Sequence, residues 1–81
     1  MSKFNSRLGI GDMIYSVNSE AYNQSYIIGY ILFSKKDTAY LDHLGVHICY
    51  EWELDNIQIA SNRFYFASKN KRDKFIETNL S

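Results

Sequence analysis

Proline is absent from this chain, and most of its length is cut into short runs in which apolar and polar residues alternate. Alternation at every second residue puts one set of side chains in a core and the other in water, the mark of a half-buried β-strand. Residues 13–17, 25–36, 38–44, 46–54, 57–61 and 64–67 read as strands in this way. Only residues 69–80 have helical spacing, with Phe75, Ile76 and Leu80 on one face and Lys71, Arg72, Asp73, Lys74 and Glu77 on the other. Ser68 stands where an N-cap belongs. A helix of about three turns does not hold alone, so its Phe75/Ile76 stripe must lie on the sheet. Short sequential strands joined by tight turns predict an antiparallel meander, closed or nearly closed.

Local chemistry places the breaks. Gly9-Ile10-Gly11-Asp12, Lys35-Lys36-Asp37, Asp42-His43-Leu44-Gly45 and Ser61-Asn62 are turn signals. Residues 18–24 are polar and make a loop in which Tyr22 is the one large ring. Residues 26–33 are apolar on both faces, as in a central strand, and Gly29 in their middle predicts a bulge or sharp bend. Residues 46–55 alternate most clearly. They predict Ile48, Tyr50, Trp52 and Leu54 on the core side and His47, Cys49, Glu51, Glu53 and Asp55 in water, a register that one slip would ruin.

Eighty-one residues make one small domain. A chain of this size buries only about 60–65% of its unfolded surface, so it needs large side chains. Seven Tyr, five Phe and one Trp supply that volume, at roughly 150–250 Å² each. No apolar run approaches the roughly 20 residues of a bilayer helix, and the opening residues show no secretory pattern. The single cysteine, Cys49, has no internal disulfide partner. These features predict a cytoplasmic chain without a membrane partner. Net charge is zero, yet residues 37–62 carry five Asp or Glu and no Lys or Arg, whereas residues 63–81 lean positive. Such blocks either make a dipole that steers a partner or cancel where strands adjoin.

Gly11-Asp12-Met13-Ile14-Tyr15, the Gly29-Tyr30-Ile31 step, and Phe64-Tyr65-Phe66-Ala67-Ser68-Lys69 running into a charged helix resemble small SH3-like barrel proteins of the short bacteriophage-encoded type. The likeness spans most of the chain, though it rests on turn and strand signatures. It implies a mainly β domain over residues 1–81, a small antiparallel barrel of about five strands, with an N-terminal arm (1–10) and one C-terminal helix (69–80). Families of this kind include translation-factor and Tudor-like modules that bind RNA or peptides, and phage proteins that inhibit host machinery. The chain lacks the basic groove of the RNA-binding members and an aromatic cage at assignable positions.

Searches for chemistry return little. His43, His47 and Cys49 are close in sequence, but one strand rarely supplies three tetrahedral ligands, so no metal or cofactor is expected. Glu51 and Glu53 would stand about 7 Å apart on one strand face, a solvated face with no enclosing pocket. Cys49 beside His47 has no third group to orient a base and sits among acids. The residues therefore predict no enzyme. They favour a binding module that docks on a host protein and modulates or inhibits it in the host cytoplasm, through Tyr22, Tyr40, Glu51, Glu53 and Tyr65. The alternative is a barrel that holds a nucleotide, RNA or single-stranded DNA, a counter-defence sponge. Its phosphates would meet Lys35, Lys36, Arg63, Lys69 and Arg72. Either reading admits a homodimer, which adds buried area to a marginal core.

Overall fold

Alternation in the first strand sets the architecture, because Ile14 and Ser16 turn to the core while Tyr15 turns away. The structure, a computed structural model, describes residues 6–18, 24–35, 37–58 and 62–79. Its elements are β1 (Met13–Asn18), β2 (Gln24–Ile27), β3 (Tyr30–Phe33), β4 (Thr38–Leu41), β5 (His47–Tyr50), a 3-10 turn (Glu51–Glu53), β6 (Arg63–Phe66) and α1 (Lys69–Asn79). They form two three-stranded antiparallel sheets, ordered β2-β1-β6 and β3-β4-β5. The fold is mainly β with one C-terminal helix, as the alternation predicts.

Three predicted strands are drawn differently, each for a physical reason. The run 25–36 is two strands separated by Ile28-Gly29. Ile28 still bonds to the first sheet, its N–H to the Asp12 carbonyl (2.9 Å) and its carbonyl from the Gly11 N–H (2.8 Å). The next N–H, of Gly29, donates to Leu41 of the second sheet at 2.8 Å. The chain thus changes sheets within one residue. Glycine is required there because a Cβ would lie 2.5 Å from the His43 Cα.

The run 46–54 is a strand only through Tyr50, after which the chain coils into the 3-10 turn. A register shift opposite Tyr40/Leu41 pairs Tyr40 with Cys49 and Leu41 with His47, leaving Ile48 without an opposite number. That bulge breaks the alternation, so Ile48 and Cys49 are both buried. Of the run 57–61, Ile57 and Gln58 belong to no strand, and the rest lies outside the described residues. Asp55, at φ 59°, turns the chain before it.

The core between the sheets holds Ile14, Ile28, Tyr40, Ile48, Cys49, Leu54 and Tyr65, with Leu8, Tyr26 and Ile31 packed against it. Closure of a barrel is not seen among the described residues: a single parallel bridge, Leu54 to Tyr65, ties the end of the second sheet to β6. Helix α1 covers the other face of the first sheet. Phe75 packs its ring 5.0 Å from Phe64 and 5.4 Å from Phe66, and Arg72 lies over the Tyr15 ring at 5.5 Å. Phe75 of the predicted stripe therefore docks on the sheet, while Arg72, predicted on the opposite face, is buried with it and Leu80 lies outside the described residues.

Candidate functional site

Among the described residues, the second sheet has no such cover. Its register places Ile31, Tyr40 and Cys49 side by side on the core face. The opposite face then carries two cross-strand rows, Tyr30-Leu41-His47 and Leu32-Ala39-Tyr50. No Asp, Glu, Lys or Arg stands in either row. Tyr30 is 56% exposed, Leu32 62% and Tyr50 37%. Trp52, on the 3-10 turn, is 52% exposed and extends this face by stacking on Tyr50, centroids 6.0 Å apart and planes 9° from parallel. His47 also lies against Tyr50, centroids 4.7 Å apart and rings tilted by 56°. The result is a continuous ring ladder, His47-Tyr50-Trp52, beside the Tyr30/Leu32 pair.

The turn that presents Trp52 is braced from several directions. Glu51 accepts the Arg7 Nε–H at 2.6 Å, the Arg7 backbone N–H at 3.2 Å and the Tyr40 hydroxyl. Arg7 also reaches Asp55 Oδ2 at 3.0 Å and the Leu54 carbonyl at 3.1 Å. Glu53 folds back to accept the Tyr50 N–H at 2.8 Å, and Asn56 Nδ2 donates to the Trp52 carbonyl at 3.3 Å. Burial pushes the Glu51 carboxyl up, but the bonds from Tyr40 and Arg7 outweigh it and hold the group below the ordinary carboxylate range. Burial, and then the Glu51 carboxylate, push the Tyr40 hydroxyl well up. The two stay a neutral donor on an ionised acceptor at neutral pH.

The residues singled out from sequence fall as follows. Tyr40 and Tyr65 were expected at the surface, yet both rings are buried in the core. Glu51 and Glu53 were expected on a solvated strand face; they sit in the 3-10 turn, where each carboxylate has a bonding task. Tyr22 and Lys36 lie outside the described residues. Lys35 is exposed at the β3–β4 turn, Arg63 begins β6 and Lys69 begins α1. Arg72 is buried, its guanidinium donating to the Gln24 carbonyl at 3.2 Å and to Asp73 at 3.1 Å. Lys69 and Arg72 share α1, but Arg72 is buried and Lys35 and Arg63 stand on other elements, so the described cations form no common cluster.

His47 and Cys49, expected on one face, stand on opposite faces because of the bulge at Ile48. Burial, then Glu53 and Glu51, push the Cys49 thiol up, which removes its thiolate character. Among the described residues, no three His, Cys, Asp or Glu side chains gather around a common point.

Trp52 and Tyr50 were expected inside, and sequence reading missed them as surface groups. The sequence holds no local signal for this, because the alternation runs unbroken through Leu54. A second feature is a shallow cleft of about 370 Å³ between α1 and the Asp55–Ile57 segment. Phe66, Phe75 and Ile57 line it, with Lys71 and Lys74 at its side; Lys71 is 3.6 Å from Asp55.

Fold and site together define a small mainly β two-sheet domain with one face under a helix and the other bare among the described residues. No family model, curated protein or solved structure matches the chain. No helix among the described residues is long and apolar enough to cross a membrane.

Proposed function

We propose that the chain is a small non-enzymatic protein-binding module that docks through the outer face of its second sheet. In keeping with its resemblance, the partner is a host protein whose action it modulates or inhibits. Two three-stranded sheets sharing a chain that turns its corner at Gly29 support reading the fold as a small SH3-like barrel.

The observation that carries the binding reading is the uncharged face of Tyr30, Leu32 and Tyr50 with Trp52 held over its rim by a braced turn. Exposed apolar area of this extent on so small a protein marks an interaction surface. Tyr and Trp are the side chains that anchor such surfaces, because they bring large area at little conformational cost. The absence of cations in the two rows argues against phosphate as the ligand there.

Capture from host lysate by the wild-type chain and by Leu32→Glu tests this. A protein retained by the first and lost by the second, with both folded alike, is the expected result. An identical retained set, or nucleic acid alone, would sink the reading.

The cleft beside α1 favours a second reading, a small anionic ligand such as a nucleotide. Its Phe66/Phe75 floor and the Lys71 and Lys74 ammonium groups are the chemistry that a base and a phosphate require. Calorimetric titration with mononucleotides at two salt concentrations decides it. Salt-dependent heat that Lys74→Glu abolishes supports this reading, and absence of heat ends it.

A further inference from the structure

We infer that, until a partner engages it, the outer face of the second sheet is covered by a second copy of the chain, packed face to face about a two-fold axis. This rests on the binding reading above and specifies how the same face is regulated.

Three properties of the face point to a copy of itself. First, Tyr30-Leu41-His47 and Leu32-Ala39-Tyr50 contain no Asp, Glu, Lys or Arg. A two-fold axis sets every residue against the same surface patch, so any fixed charge in the middle would meet its like. This face meets none.

Second, the area is that of a weak, transient pair. Tyr30, Leu32, Tyr50 and Trp52 are each between 37% and 62% exposed. At roughly 150–250 Å² per fully exposed aromatic side chain, these fractions give the patch about 300–500 Å² per copy, so a pair covers at most about 1,000 Å². That lies below the span of stable complexes and suits a cover that a better partner displaces.

Third, the first sheet shows what such a face requires. Its outer side holds Tyr15, Phe64 and Phe66, and the chain places Phe75 and Arg72 of α1 over them. The second sheet presents the same kind of flat aromatic surface. Two such faces pack with their sheets about 10 Å apart, rows interdigitated as in a β-sandwich. The fold then becomes a symmetric stack of helix, first sheet, second sheet, second sheet, first sheet and helix. Monomer and dimer are linked by mass action, so the free face is set by concentration, and a partner must compete with the second copy.

The test uses the full chain and its single tryptophan, Trp52, as reporter. Sedimentation velocity and Trp52 emission are followed together from about 1 to 300 μM, which brackets a weak, micromolar association. The expected result is a doubling of mass, with a blue shift of emission and loss of iodide quenching over the same concentrations. Leu32→Glu, at a 62% exposed position, is expected to raise the dissociation constant about 100-fold or more by opposing like charges. Leu32→Ser serves as a milder second variant, expected to weaken pairing in the same direction.

A wild-type chain that stays monomeric throughout overturns the inference. So does a dimer in which Trp52 remains open to iodide, or one that Leu32→Glu and Leu32→Ser leave intact. Failure here leaves the binding reading standing, because that reading is decided by the lysate capture: it falls if capture does not depend on Leu32 or yields nucleic acid alone.

Discussion

Glu51 shows how one side chain can serve two purposes. Its carboxylate ties the N-terminal arm, through Arg7, to the buried hydroxyl of Tyr40, and it thereby sets the turn on which Trp52 stands. A carboxyl held below its ordinary value takes up its proton less readily in the folded chain than in the unfolded one. Its stabilising share is therefore complete above the unfolded value of about 4.3 and drains away as pH falls below that through the lower folded value. Urea unfolding from pH 7 to pH 3 is expected to show this loss. Glu51→Gln should cost about 1–2 kcal/mol at pH 7 and flatten the acid limb. The limb does not vanish, since Asp42, bonded to the Leu44 and Val46 N–H groups, is also held low. An unchanged acid limb in the variant would mean that Glu51 is not the group being titrated. None of this was legible from sequence. Glu51 reads as an outward strand residue until the strand is known to stop at Tyr50.

At the scale of elements, punctuation residues were the readable part. Gly29 was expected to mark a bend, and it is the point where the chain crosses from one sheet to the other. Its nearest neighbours are backbone atoms, 2.5 Å and 2.7 Å from a would-be Cβ, and backbone cannot swing aside. Gly29→Ala should therefore destabilise by about 1–3 kcal/mol, read as a lower urea midpoint. A midpoint equal to that of the wild type would show that the corner relaxes freely. The helix was legible as well, because Phe75 sits at the position from which it reaches Phe64 and Phe66. The strand from 46 to 54 was not. Perfect alternation hid a bulge at Ile48, and bulges are set by which residue the neighbouring strand offers, a fact absent from the strand itself.

At the scale of the whole molecule, the two sheets are alike in form and unlike in cover. The first lies between the core and α1; the second has the core on one side and, among the described residues, bare rings on the other. Leu32 and Trp52 contribute little to the fold of the monomer, so at concentrations where the chain is single, Leu32→Glu and Trp52→Ala should leave unfolding free energy within about 0.5 kcal/mol of wild type. A dilute-solution loss much larger than that would show the face to be part of the core.

Sequence alone determined the class: alternation without proline commits the backbone to short antiparallel strands, and the one 3.6-residue stripe commits a single helix to pack on them. Which rings are inside was a matter for the tertiary structure. A strand's period assigns side chains to two faces but does not say which face a neighbour covers. In this chain the bulge at Ile48 and the helix's choice of the first sheet buried Tyr40 and Tyr65 and left Tyr30, Tyr50 and Trp52 in water.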